Sequence, residues 1–336
     1  VSATSELSEA AAAARSSGKR IPDFFIIGHA KCGTTALYEM LKRHPQIYMS
    51  DPKEPWFFAR DNPQPKDSER SVAVTGTQPV SLEKYLRLFE GARPDQRTGE
   101  ASTSYIWSPI AAERIAEVQP HARMIAILRE PASFMRAVHL QLLKMHRESE
   151  TDFRKAVALE QPRLEGREIP ASNPWPQTLI YSHRVRYVEQ LRRFHATFAP
   201  EQLLVLIYDD FRRENEATVR KVQRFLEVDD TQPIETVDAN PTIGTSVRVD
   251  GFRRGLATGR NPAMRAIQAT GKALTTSGLR KRVYYPLMRR LSHGEAPPPD
   301  ESFMLELRRR FKAEVEATSE YLDRDLVSLW GYDALG

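Results

Sequence analysis

The stretch Ile21-Pro22-Asp23-Phe24-Phe25-Ile26-Ile27-Gly28-His29-Ala30-Lys31-Cys32-Gly33-Thr34-Thr35 decides how the chain is read. The apolar run from Phe24 to Ile27 has the length and character of a strand buried on both faces. Gly28 and Gly33 bound a loop, and Ala36-Leu37-Tyr38-Glu39-Met40-Leu41 continues as a helix that His44-Pro45-Gln46-Ile47 ends. A strand that turns through such a loop into a helix offers backbone N–H groups and the positive helix end to a phosphate-like anion. The amides from Cys32 to Thr35 open that helix, and Lys31 adds an ammonium from within the loop. In the G-x-x-x-x-G-K-[ST] loop a lysine follows the second glycine and serves a Mg-bound triphosphate. Here Thr34 stands at that position and the lysine has moved inward.

Outward from the loop, short apolar runs alternate with helical stretches. Strands are expected at 24–27, Ile47–Met49, Met124–Leu128 and Leu203–Tyr208. Helices are expected at about 34–44, Leu82–Phe89 capped by Ser81, Pro109–Val118, from Pro131 onward, Thr178–Phe198, Ala217–Leu226 and Glu301–Leu322. Residues 160–176 read as a Pro-rich connection. The alternation predicts an α/β fold: a central, mostly parallel sheet flanked by helices, with a P-loop-like nucleotide site. Residues 1–20 read as a flexible leader, and 21–336 as a single domain with a basic insertion at about 240–295.

The chain has 336 residues, 40% of them apolar, enough for a sizeable core. It contains no apolar run near the ~18 residues of a membrane span, and the start lacks the apolar segment of a secretory signal. A cytoplasmic location is therefore expected. The single cysteine, Cys32, excludes an internal disulfide and a cysteine-rich metal site. Its thiol pKa is open to lowering by Lys31 and the loop amides, although a backbone role is the simpler reading. The net charge of +5 points to anionic partners. From Gly251 to Gly294 there is no acidic residue while Arg253, Arg254, Arg260, Arg265, Lys272, Arg280, Lys281, Arg282, Arg289 and Arg290 all fall there, so 251–294 is a candidate for peripheral membrane contact or an acidic partner. The aromatic interleaving of a nucleic-acid reader is missing, and no nucleic acid is expected.

Lys31-Cys32-Gly33-Thr34-Thr35 resembles the Lys-x-Gly-Thr-[Thr/Arg/Ser] loop of the sulfotransferases that use 3′-phosphoadenosine 5′-phosphosulfate (PAPS). Lys53-Glu54-Pro55-Trp56-Phe57-Phe58 resembles the Glu-x-x-Phe-Phe segment of members acting on glycosaminoglycans, and Ala126-Ile127-Leu128-Arg129-Glu130-Pro131 their Leu-Arg-[Asp/Asn/Glu]-Pro turn. The resemblance covers nearly the whole chain from about residue 22 and is strong at these three motifs. It implies transfer of a sulfuryl group from PAPS to a hydroxyl or amine of a carbohydrate or glycolipid acceptor, without a metal. Lys31 would neutralise the leaving oxygen, and Lys31, Cys32, Gly33, Thr34 and Thr35 would hold the 5′-phosphate. Arg129 would grip the 3′-phosphate, and Glu54, its pKa raised by burial, would take the acceptor proton. His139 and His146, on a helix, read as structural.

The family pattern is broken in two places. Its usual serine eight residues after the arginine is Ala137, and in Gly99-Glu100-Ala101-Ser102-Thr103-Ser104-Tyr105 its lysine is Ala101. A second donor loop near Asn240–Arg254 would supply Arg248. Two other readings remain open: a P-loop kinase with Mg²⁺ held by Thr35 and Asp209 or Asp210, and a nucleotide-binding protein without catalysis attached to a membrane or partner through 251–294.

Overall fold

The computed structural model describes residues 6–59, 79, 81–236 and 298–335. Helix α1 (Glu6–Ser16) precedes strand β1 (Phe24–Gly28), which leads through the loop into α2 (Thr34–Lys42) and β2 (Ile47–Met49). Next come α3 (Leu82–Leu86), β3 (Arg97–Ala101), α4 (Ala111–Val118), β4 (Arg123–Leu128) and α5 (Pro131–Lys144). Short helices α6 (Phe153–Ala158) and α7 (Glu160–Leu164) lead to α8 (Tyr187–His195) and β5 (Leu203–Ile207). Then α9 (Tyr208–Arg213) and α10 (Asn215–Phe225) follow, and after the gap come α11 (Glu301–Tyr321) and α12 (Leu326–Leu329).

Five strands form one parallel sheet in the order β2-β3-β1-β4-β5. The chain runs outward from β1 to β2, returns to β3, and then builds β4 and β5 on the other side. The connections therefore diverge at β1 and β4, and ligands in open α/β sheets bind beyond the carboxyl ends of strands at such a point. The residues there are the 29–33 loop and Arg129. Helices cover the sheet, so β1 and the Met124–Leu128 stretch of β4 are buried throughout, as their continuous apolar runs require. Gly99 of β3 lies opposite Phe24, where a Cβ would sit 2.2 Å from the ring.

Residues 6–16 are helical, contrary to a flexible leader, because Ala11 and Ala14 are buried and Arg15 donates to the carbonyl of Val118 at the end of α4. The helix expected over Thr178–Phe198 is also broken. It is replaced by 3₁₀ turns at Pro176–Leu179 and Tyr181–Val185 before α8. Glu160, from the stretch expected as a connection, accepts from the backbone N–H and hydroxyl of Ser182 at 2.8 and 2.6 Å, and the Gln190 amide donates to the carbonyls of His183 and Arg184. These side chains take over backbone groups that a continuous helix would pair internally. Among the described residues no helix is long and apolar enough to cross a membrane. Arg248 and the basic segment 251–294 lie outside the described residues.

Candidate active site

The anion loop is anchored from below. His29 N–H extends the β1–β4 pairing to the Ile127 carbonyl at 2.9 Å, while its buried ring meets Gln190 Oε1 at 2.8 Å and packs on Phe134 and Tyr187. Burial pushes the imidazole down to about 3, with the Arg184 charge adding to it, so this ring is a neutral prop. Gly33 is the N-cap of α2 at φ 87°, and its Cβ, if present, would lie 2.9 Å from the Phe211 ring. Only glycine suits that backbone and that contact. No side chain caps α2, which leaves its first N–H groups pointing into the loop.

Cations surround the same loop. Burial lowers the Lys31 pKa, and the charges of Arg129 and Lys144 lower it further. An anion bound among them relieves this mutual repulsion. Arg129 donates from Nη1 to the Lys31 carbonyl at 3.1 Å, lies over the Tyr208 ring at 4.7 Å, and accepts at its own carbonyl from the Tyr187 hydroxyl. The structure thus brings Lys31, Cys32, Gly33, Thr34, Thr35 and Arg129 together. Lys144, at the end of α5, belongs to no motif and was not foreseen. Ala137 is buried on α5, and the neighbouring Arg136 feels the Arg129 charge. The His139 ring is committed to the Glu150 carbonyl at 2.8 Å. The Cys32 thiol is raised rather than lowered: burial pushes it up to about 12, outweighing Arg129 and Arg184.

Glu54 stands on the other side of Ala30, facing a cavity of about 260 Å³ that Ala30 itself helps to line. Its N–H donates to the Ala101 carbonyl at 3.0 Å. The carboxylate receives Lys53 Nζ at 2.9 Å, Trp56 Nε1 at 2.5 Å and the Thr103 hydroxyl at 3.1 Å. The expected upward pKa shift is reversed. Burial does raise it, but the Lys53 charge and these hydrogen bonds together hold the carboxyl below its ordinary value. Where the family places a lysine, Ala101 is instead buried at the end of β3 opposite Ile26, and the following Ser102 accepts from the Trp56 N–H at 3.1 Å. Lys31, Glu54 and Trp56 all have left-handed backbones, three of the seven non-glycine residues that do among the described residues. Such strain concentrates at functional sites.

The acidic residues that a Mg²⁺-dependent reading needs are engaged elsewhere. Asp209 accepts from Trp330 Nε1 at 2.9 Å, and Asp210 pairs with Arg213 and Arg324.

A parallel sheet with a glycine-bounded loop and an uncapped helix start after its central strand, and a carboxylate-bearing cavity beside that loop, defines a protein of the P-loop-like α/β class. The family model described as Sulfotransferase family matches residues 22–232, and the chain belongs to that family. It is 27% identical over 252 residues to carbohydrate sulfotransferase 15 of Mus musculus, covering 61% of this chain and 44% of the relative. It is 27% identical over 219 residues to bifunctional heparan sulfate N-deacetylase/N-sulfotransferase 4 of Mus musculus, covering 62% of this chain and 22% of that protein. The chain thus spans less than half the length of these relatives. The crystal structure of a sulfotransferase from Alicyclobacillus acidocaldarius shares the fold, with a TM-score of 0.64 and 24% identity over 92% of this chain and 98% of the other.

Proposed function

We propose that the chain transfers a sulfuryl group from PAPS to a hydroxyl or amine of a carbohydrate acceptor. One observation carries this reading: Ala30, which lines the cavity that Glu54 faces, is part of the anion loop and is followed directly by Lys31. Donor and acceptor therefore meet across a single residue. The uncapped start of α2 and the Lys31–Arg129–Lys144 cluster suit the phosphates of the donor, with Arg129 on the 3′-phosphate. Glu54 takes the proton of the acceptor as its oxygen or nitrogen bonds to sulfur. Lys31 offsets the charge that gathers on the phosphate oxygen as the sulfur–oxygen bond to it breaks. A sulfated acceptor, adenosine 3′,5′-bisphosphate and the proton on Glu54 result. Positioning of the two reactants supplies much of the acceleration.

Calorimetric titration with adenosine 3′,5′-bisphosphate, beside ADP with Mg²⁺, tests the donor site. The bisphosphate is expected to bind without metal, and Lys31→Ala to weaken it about tenfold or more, the worth of one charged hydrogen bond. Binding of Mg-ADP alone, or a bisphosphate affinity indifferent to Lys31→Ala, refutes the assignment.

A further inference from the structure

The cavity beside Glu54 collects polar groups left without partners. Of the ten buried side-chain polar atoms that lack one among the described residues, four belong to its lining: Ser104 Oγ, Trp107 Nε1, Gln141 Oε1 and Arg184 Nε. Buried polar atoms are nearly always paired, so the lining carries more polarity than the protein satisfies. These four atoms are themselves shielded from the cavity, and a ligand there meets the rest of the same side chains.

The charges point the same way. Arg184 is only 7% exposed, lies between the rings of Trp107 and Phe134 at 5.6 and 5.5 Å, and has no carboxylate in ion-pair contact among the described residues. Arg147 lines the same cavity, stacked on Trp175 at 4.4 Å, likewise without an ion-pair partner among the described residues. An uncompensated buried guanidinium is costly, and the cost is recovered when an oxyanion arrives. Among the described residues of the cavity lining Glu54 is the one carboxylate, and it is paired with Lys53 at 2.9 Å. Trp56, Trp107 and Trp175 supply the apolar walls. At about 260 Å³, the space is below the roughly 300–1,000 Å³ of sites for drug-sized ligands, so it encloses one ring with its substituents.

We infer that the acceptor presents to this cavity a single sugar-like ring carrying an oxyanion, a carboxylate or a sulfate ester, held by Arg147 and Arg184. The ring lies against tryptophan, and another hydroxyl or amine is turned to Glu54. This rests on the reading of Glu54 as the base of a sulfuryl transfer, and it assigns the selectivity for charge to two residues outside every motif of the family.

The test uses p-nitrophenyl β-D-glucuronide and p-nitrophenyl β-D-glucoside, which differ only in a carboxylate against a hydroxymethyl group, titrated into the full chain with adenosine 3′,5′-bisphosphate present. The glucuronide is expected to bind about tenfold or more tightly, as charged hydrogen bonds give. Arg147→Gln and Arg184→Gln should each remove most of that preference while leaving affinity for the bisphosphate unchanged. Arg184→Lys and Arg147→Lys keep a charge in place should either glutamine variant fail to fold. The 6-sulfate of the glucoside decides between carboxylate and sulfate. Equal binding of glucuronide and glucoside by the wild type, with neither charged ring preferred, overturns the inference. So does a preference that survives Arg147→Gln and either Arg184 variant, and so does an Arg184 variant that loses PAPS but not the bisphosphate, which would place Arg184 on the sulfuryl group. If the bisphosphate itself does not bind, the donor reading fails, and the two glycosides titrated alone still decide the charge preference of the cavity.

Discussion

Replacing Glu100 by glutamine should make the protein more stable, and only at higher pH. Glu100 is fully buried at the end of β3, where Oε1 accepts from the hydroxyls of Tyr85 and Tyr105 at 2.8 and 2.7 Å and Oε2 meets the Ser102 hydroxyl at 2.7 Å. Burial pushes its carboxyl up to about 7 against the pull of those three hydroxyls, and the Glu54 charge pushes it further. Between the ordinary 4.5 and about 7 the native protein binds more protons than the unfolded chain, so stability falls as pH rises across that window. The contribution is intact below 4.5 and lost above about 7. At about 1.36 kcal/mol per pK unit, the loss amounts to about 3 kcal/mol. Glutamine reproduces the neutral acid, its carbonyl receiving both tyrosines and its NH₂ donating to Ser102. Glu100→Gln should therefore match the wild type near pH 5 and exceed it at pH 8. At about 2 °C for each kcal/mol in a chain of this size, thermal unfolding at pH 8 should show a gain of about 6 °C. Parallel pH dependences of Tm in the two proteins, or a variant less stable at pH 8, would refute the reasoning.

Lys53→Gln removes the ammonium that holds down the Glu54 carboxyl and leaves burial to act, so the acid limb of the transfer rate should move to higher pH; a limb that stays in place shows that Glu54 does not govern the rate. Arg163 and Glu148 form an ion pair with side chains 1% and 0% exposed, and Glu148 also receives the Tyr181 hydroxyl. Arg163→Ala should cost about 3–5 kcal/mol in chemical denaturation, and Arg163→Met with Glu148→Leu should cost less than Arg163→Ala alone.

Much of the sheet could be read because parallel strands buried on both faces leave unbroken apolar runs, as at Phe24–Ile27 and Met124–Leu128, and the edge strand Leu203–Ile207 is apolar as well although Leu204 and Val205 are only half-buried. The loop 31–35 was legible because glycine positions and an uncapped helix start are local properties. The break at 180–186 was not, since Glu160 reaches it from a separate helix and Gln190, from within the expected helix, turns its amide back onto the carbonyls of His183 and Arg184. Burial of Glu54 was foreseen but the direction of its pKa was not, because the Trp56 and Thr103 donors arrive through a strained turn. Arg147, Trp175 and Arg184 share one cavity through tertiary folding alone, and single residues so far apart carry no pattern.

The anion loop and its neighbour Arg129 depend on residues far along the sequence. Glu130, next to Arg129, caps α5 by accepting from the N–H groups of Ala132 and Ser133, and its Oε1 also receives the Tyr332 hydroxyl at 2.6 Å from 202 positions later. Trp330 likewise ties down Asp209 in α9, the helix whose Phe211 ring abuts Gly33. During synthesis the sheet and the loop emerge long before these two residues. A ribosome stalled anywhere short of 330 therefore carries a chain with its strands in place but the cleft beside the 29–33 loop still unclasped.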